Sequence, residues 1–185
     1  MKKPISIALI LLSAISAAAQ KTNDAIAKQI KDLRAEKTIT LSYDESSGAS
    51  KIFARAENFA DGESRAAGVE AMNFGMAFFY VGKTLAAPPD TINLTFMALT
   101  KKPRFAAAHN WVATLTGGPL DLGDARYATK KGENIEYLNF KISRTDLAML
   151  AASTNVKFKL GTFDFTFTPA QMTMLKNLIA ITETH

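Results

Sequence analysis

The sequence predicts a mainly β, α+β fold, in which an antiparallel β-sandwich or partly open barrel carries helices near both ends of the chain. Two observations favour this fold. Segments in which apolar and polar residues alternate recur between turn-forming clusters, without helical segments between most of them. Helical patterns are confined to the start and the end. Successive strands without intervening helices indicate an antiparallel sheet rather than a parallel one.

The first residues have the three parts of a secretory signal. A basic start is followed by an apolar run from Ile5 to Ile15 and by small residues at 17–19. We expect residues 1–19 to be a signal peptide that is cleaved before Gln20. The run is shorter than the roughly 20 residues of a membrane-spanning helix. The sequence therefore predicts an exported protein, periplasmic or extracellular, with no transmembrane segment in its mature form.

The composition excludes several kinds of function. The chain has 22 Lys and Arg against 17 Asp and Glu, a surplus too small to indicate nucleic-acid binding. It has no cysteine and two histidines, so a structural zinc site lacks its usual ligands. We predict no cofactor and no metal. An exported domain without disulfides must be stabilised by burial alone.

Residues 20–37 contain an amphipathic helix. Ile26, Ile30 and Leu33 recur at helical spacing between polar residues, and residues 22–24 offer a capping side chain. We expect this helix to pack on the rest of the chain, and the less favoured alternative is that its apolar stripe binds a partner helix.

Residues 38–185 are predicted to form a single β-rich domain. Alternation of period two and turn residues mark its strands. The predicted strands are residues 38–43, 51–58, 69–81, 91–100, 111–116, 120–129, 135–143, 156–160 and 163–167.

The C-terminal part has the pattern of a helix–hairpin–helix unit. Ser143 and Asp146 have the spacing of a capping box, and a short helix follows them. Gly161 and the next residue suit a two-residue hairpin turn. Thr168 and Gln171 form a second predicted capping box, which begins the last helix. Because every local signal agrees, we interpret this unit as structural.

Two groups of apolar residues could either form a core or line a ligand cavity. Residues 69–81 are strongly apolar, and Gly75 among them suggests a bulge or a close approach. The first group alternates along that strand, and the second lies in the C-terminal hairpin. They are Met72, Phe74, Met76, Phe78 and Tyr80, and Phe163, Phe165 and Phe167.

A basic loop, residues 100–105, is the candidate contact site. Lys101, Lys102 and Arg104 lie beside Phe105, and Trp111 follows closely. Basic and aromatic side chains together are typical of sites for acidic proteins or anionic lipid headgroups.

Signals for catalysis are weak. His109 is the one histidine inside the domain, because His185 ends the chain, and no serine has the G-x-S-x-G pattern. A glycosidase-like pair of carboxylates stays formally open. The candidates are Asp61, Glu63, Glu70, Asp121, Asp124, Glu133 and Glu136.

The sequence thus predicts a non-enzymatic binding or accessory protein of the bacterial envelope. It would contact another envelope protein, or an anionic surface, through a sheet edge or the basic loop. The first alternative is a carrier of a small apolar or lipid ligand. The second, less favoured, is a carboxylate-based hydrolase.

Overall fold

The structure is a computed structural model, which describes residues 20–56, 58–130 and 132–183. The predicted signal peptide, residues 1–19, lies outside this part of the chain. Within the described residues, no helix has the length and apolar character needed to cross a bilayer.

The described chain forms mostly strands, with helices near its ends and one short helix after β3. The strands are β1 (Lys21–Thr22), β2 (Ile39–Asp44), β3 (Ala49–Ala56), β4 (Val69–Val81), β5 (Thr84–Leu85), β6 (Thr91–Thr100), β7 (Asn110–Leu115), β8 (Gly118–Asp124), β9 (Arg126–Thr129), β10 (Ile135–Ser143), β11 (Lys157–Leu160) and β12 (Phe163–Thr166). The helices are α1 (Asn23–Asp32), α2 (Gly62–Ala66), α3 (Arg144–Ala152) and α4 (Pro169–Thr182).

All strand pairs among the described residues are antiparallel, and these strands form three sheets. The largest has the order β2-β3-β4-β6-β10-β9, the second has the order β12-β11-β7-β8, and β1 pairs with β5. The described residues contain no closed barrel, so the sandwich-like alternative of the prediction is the one observed. The predicted mainly β, α+β class is confirmed, with 46% strand and 23% helix.

Aromatic rings from both large sheets form the core between them. Phe96 of β6 lies 5.2 Å from Trp111 of β7 and 5.7 Å from Phe158 of β11, measured between ring centroids. Phe59, in the connection after β3, packs against rings of both sheets, at 5.8 Å from Phe74 of β4 and 5.6 Å from Phe158 of β11. Burying such rings contributes most of the stability of a chain without disulfides.

The helices form where capping residues and apolar stripes predict them. Thr22 caps α1, and Ile26 and Ile30 are buried. Leu33, predicted as part of the same stripe, is exposed because α1 ends at Asp32 and Leu33 is its C-terminal cap. Helix α4 packs against both α1 and α3, so helices from the two ends of the chain share one side of the molecule.

One predicted strand is divided in two. Residues 120–129 were expected to be continuous, whereas β8 belongs to the four-stranded sheet and β9 to the six-stranded sheet. The chain changes sheets at Ala125, whose side chain is buried and whose N–H donates to the carbonyl of His109 at 3.1 Å. Alternation alone cannot show such a change of partner.

The C-terminal unit has the predicted order of α3, hairpin and α4. Thr168 and Gln171 make a complete capping box, whereas the Ser143 side chain accepts from the N–H of Asp146 without the return bond to its own backbone. Gly161 turns the hairpin with φ of 58°. A Cβ there would lie 2.2 Å from the carbonyl oxygen of Ala108, so the turn is also pressed against the segment before β7.

Candidate interaction surface

The basic loop, residues 100–105, is anchored by one buried carboxylate. Glu136 of β10 points into the space between the sheets and is 2% exposed. Its oxygens accept hydrogen bonds from Thr100 Oγ1 at 2.7 Å, from the N–H of Arg104 at 2.9 Å and from the N–H of Phe105 at 3.0 Å. A buried carboxylate is tolerated because these donors replace water. The loop therefore has a fixed conformation.

Tyr127 of β9 completes the environment of Glu136. Its hydroxyl donates to Glu136 Oε1 at 3.0 Å. Burial and the neighbouring carboxylate raise the pKa of Tyr127 to about 12, because both disfavour a second negative charge. His109 stacks on Tyr127, and its Nδ1 lies 3.1 Å from the carbonyl oxygen of Phe105. The histidine is thus occupied in holding the same segment.

The residues predicted to contact a partner separate into exposed cations and buried rings. Lys101, Lys102 and Arg104 are exposed. Phe105 and Trp111 are fully buried, so they support the loop and the core from inside and cannot reach a partner at the surface. Lys101 also lies 3.3 Å from a carboxylate oxygen of Glu70.

The residues predicted either to form core or to line a cavity are packed in the core. Met72, Phe74, Met76 and Phe78 are buried, and Tyr80 is half-buried with its hydroxyl bonded to Asn23 Oδ1. Phe165 and Phe167 are buried as well, and Phe163 is half-buried against the core. These side chains interdigitate with rings of the facing sheet. Phe74 lies 5.9 Å from Phe167.

Three of the exposed apolar side chains lie on the other side of the six-stranded sheet. We call this side the outer face. It is formed by alternate residues of the strands, which register across β3, β4, β6 and β10. Phe79 is 60% exposed, Leu99 is 39% exposed and Val81 is 88% exposed. Phe79 and Val81 lie together at one end of β4, whereas Leu99 lies opposite Ala71 at the other end. Exposed apolar side chains that lie side by side, like Phe79 and Val81, are typical of interaction surfaces.

Cations lie beside Phe79 and along the middle of the outer face. Lys51, Arg55, Arg126 and Lys141 project from β3, β9 and β10 on the outer face. Lys51 Nζ lies 4.7 Å from the ring centroid of Phe53 and 5.7 Å from that of Phe79.

Carboxylates are confined to the ends of the outer face. In the described strands, Asp44 and Glu70 lie at its two ends, and no Asp or Glu projects from the residues between them. Between these two ends, the described strands therefore carry basic and no acidic side chains on the outer face.

The centre of the outer face is shallow and polar. At Gly75 the ring of Phe53 approaches the backbone so closely that a Cβ would lie 3.0 Å from it, which is the close approach considered from the sequence. Beside it a groove of about 460 Å³ is lined by Asn93, Asn139 and Arg126, among others. Amide groups in such a groove can donate and accept hydrogen bonds.

The sequence of β4 indicates this face through its outward-pointing residues, although the alternating pattern of the strand makes them look like the solvent-facing side of an ordinary strand. The residues of β4 that point away from the core include Ala71, Gly75, Ala77 and Phe79. A strand whose second side faces only water normally carries charged and polar residues there. Small and aromatic residues at these positions were therefore the available sign of a second contact surface.

The carboxylates that were candidates for catalysis have structural partners in several cases. Asp61 caps α2 together with Ser64, and its pKa is lowered by these hydrogen bonds. Glu70 pairs with Lys101. Glu133 pairs with Lys130. In the part of the chain that the structure describes, no three His, Asp or Glu side chains are grouped so as to hold a metal ion.

Comparisons with known proteins give no relative. No protein-family model matches the chain, and neither the characterised proteins nor the solved structures include a significant match.

Proposed function

We propose that this protein is a non-enzymatic binding protein of the bacterial envelope, which holds an acidic surface of another protein against the outer face. One observation carries the proposal: exposed Phe79 and Leu99 share this face with Lys51, Arg126 and Lys141, and no carboxylate of the described strands lies between them. Aromatic and arginine side chains are enriched in protein interfaces, and complementary charge guides the partner.

The charge and the shape of the outer face indicate which kind of partner fits it. A second copy of this chain would bring the same four cations against the first, which disfavours a face-to-face dimer. A lipid surface is best bound by protruding apolar side chains, whereas the centre of this face is a shallow groove with Asn93, Thr95 and Asn139. A protein surface with carboxylates and hydrogen-bonding groups suits the whole face.

The basic loop extends the same surface. It begins at Thr100, directly after exposed Leu99, and Lys101 lies beside Glu70 at that end of the outer face. A partner that covers the outer face would therefore meet the loop cations at its rim. This placement favours the basic loop as an extension of the outer face. Phe105 and Trp111 hold the loop from inside the protein.

The test captures the partner at the face and then measures its affinity. A photoreactive amino acid replaces Phe79 in mature protein incubated with envelope extract of the producing cell, and the cross-linked protein is identified and purified. Its affinity is then measured for wild type and for the double variant Lys51→Glu, Lys141→Glu. The control variant is Lys157→Glu, Lys159→Glu, which makes the same charge change on the outward side of the four-stranded sheet.

We expect the purified partner to bind through an acidic segment, with an affinity that falls as salt rises. The outer-face variant should bind at least about tenfold more weakly, and the control should bind like wild type. Equal affinity of both variants would overturn the proposal. The proposal would also be overturned if sedimentation showed that the protein dimerises through the outer face. Binding to anionic vesicles would overturn it as well, if the control variant lost this binding to the same extent as the outer-face variant.

A further inference from the structure

The groove at the centre of the outer face crosses the strands rather than following them. The register pairs Asn139 of β10 with Arg126 of β9 and with Thr95 of β6. Thr95 is paired in turn with Gly75 of β4. Because neighbouring strands lie about 4.8 Å apart, this row of four residues measures about 14 Å. Arg126, Asn139 and Thr95 all line the groove.

One end of the row carries a positive charge that a ligand can reach. Arg126 lies on the edge strand β9 and is exposed. Within the described residues its guanidinium has no hydrogen bond or ion pair, and no described Asp or Glu lines the groove. A guanidinium can donate two parallel hydrogen bonds to one carboxylate. This end of the groove therefore favours a carboxylate.

The other end of the row is also basic. At Gly75 the ring of Phe53 lies against the backbone, 3.0 Å from the position that a Cβ would take. Lys51 Nζ lies 4.7 Å from the centroid of the same ring. The ring attracts the ammonium group and so holds a second cation near this end of the row.

The middle of the row consists of hydrogen-bonding groups with a fixed orientation. Thr95 Oγ1 donates to Asn139 Oδ1 at 2.8 Å, and Asn139 Nδ2 donates to the carbonyl of Arg126 at 3.2 Å. Asn93, from the neighbouring row, also lines the groove. Each of these amides carries two N–H donors and an acceptor oxygen, so the middle of the groove suits polar side chains and peptide groups.

From these features we infer that the groove binds an extended acidic segment of the partner, which lies across the strands and carries two acidic residues four positions apart. Side chains alternate along an extended chain, so residues i and i+4 point to the same side and lie about 13 Å apart. This spacing matches the length of the row. One carboxylate would bind Arg126 and the other Lys51. The inference rests on the proposed function, because it names the segment through which the partner binds.

Two blocked peptides of equal composition test the spacing without the partner. Acetyl-Glu-Ala-Ser-Ala-Glu-amide has the inferred spacing, whereas acetyl-Ala-Glu-Glu-Ser-Ala-amide points its two glutamates to opposite sides of an extended chain. Each peptide is titrated into the labelled mature protein, and nuclear magnetic resonance follows the side-chain amides of Asn93 and Asn139. The variant Arg126→Gln removes one cation of the groove. The control variant Lys159→Gln makes the same charge change on the outward side of the four-stranded sheet.

We expect the spaced peptide to shift both amide signals saturably and to bind at least about tenfold more tightly than the peptide with adjacent glutamates. Arg126→Gln should weaken its binding by at least about tenfold, because hydrogen bonds between two charged groups are lost. Lys159→Gln should bind like wild type. The inference fails if the two peptides bind equally, if Arg126→Gln changes nothing, or if trigalacturonate, an acidic saccharide, binds more tightly than the spaced peptide.

Two results distinguish failure of this inference from failure of the proposed function. A partner that is cross-linked at Phe79 but binds wild type and Arg126→Gln equally would overturn the inference alone. Saturable binding of the spaced peptide, with no partner captured at Phe79, would support the groove as a site for an acidic segment and would count against the proposed function.

Discussion

At the scale of single residues, the buried carboxylate of Glu136 has a structural role, because it holds the basic loop in place. Carboxylates in a protein interior need several donors, and this one receives them from a hydroxyl of β6, from two backbone groups of the following loop and from Tyr127 of β9. One side chain thereby connects two strands of the sheet to a loop that has no regular structure of its own. The exposed cations of that loop are positioned by it.

Replacement of Glu136 by Gln should destabilise the protein. The amide keeps one acceptor oxygen and turns an N–H₂ group toward groups that are themselves donors, so we expect a loss of about 3 kcal/mol in the free energy of unfolding. Urea denaturation measures it. Glu133→Gln is the control, since Glu133 belongs to a surface pair with Lys130, and we expect its loss to stay within about 0.5 kcal/mol. Equal losses for the two variants would contradict the anchoring role.

At the scale of elements, the β11–β12 hairpin acts as a support for the segment before β7. The turn at Gly161 touches the backbone of Ala108, and the N–H of Gly161 donates to the carbonyl of Asn110 at 2.8 Å. Phe163 at the start of β12 lies 5.2 Å from Phe105 of the basic loop. The hairpin and Glu136 therefore hold the loop from two directions.

A glycine comparison tests this contact. Gly161→Ala should cost about 3 kcal/mol, since it adds a clash with a backbone oxygen to the cost of a positive φ. Gly48→Ala has a similar φ of 65° with open space around its Cβ, and we expect about 1 kcal/mol. Thermal or urea unfolding of both variants gives the difference. If the two variants lose the same stability, the hairpin does not press on the segment before β7.

At the scale of the whole molecule, the beginning and the end of the described chain are fastened together. Lys21 Nζ donates to the carbonyls of Ile181 and Glu183, each at 3.0 Å. Arg144 Nη1 donates to Thr182 Oγ1 at 2.6 Å. At the C-terminal end of α4, Lys21 thus satisfies carbonyls that the helix cannot, and Arg144 binds a side-chain hydroxyl and lies 3.4 Å from the carbonyl oxygen of Ile179. They also join α4 to β1 and α3.

Lys21→Met should therefore lower the free energy of unfolding by about 1.5 kcal/mol, because hydrogen bonds from a charged group to partly buried carbonyls are lost. Lys31→Met is the control. Lys31 is an exposed lysine in the last turn of α1, and its loss should cost less than about 0.5 kcal/mol. Urea denaturation of the mature protein compares them. Equal free energies of unfolding for the two variants would show that the hydrogen bonds of Lys21 to the end of α4 do not contribute to stability.

Much of the fold could be predicted because its local signals are strong. The bounds of β4, β6 and β10 and the second capping box follow from alternation and from residue types at fixed offsets, which act between neighbours in the chain. The candidate site was predicted less well. Charge in the sequence located the basic loop, but only the fold shows that Phe105 and Trp111 support it from within.

The sequence by itself determined the class of the fold, the order of its main elements and the lack of thiolate chemistry, because these depend on local periodicity and on inventory. Tertiary structure alone decided that residues 120–129 divide between two sheets, that Glu136 is an anchor and that Lys51 and Lys141 share a face with Phe79. Those outcomes depend on which strands pair. Pairing is set by contacts between residues far apart in the chain, which no local pattern contains.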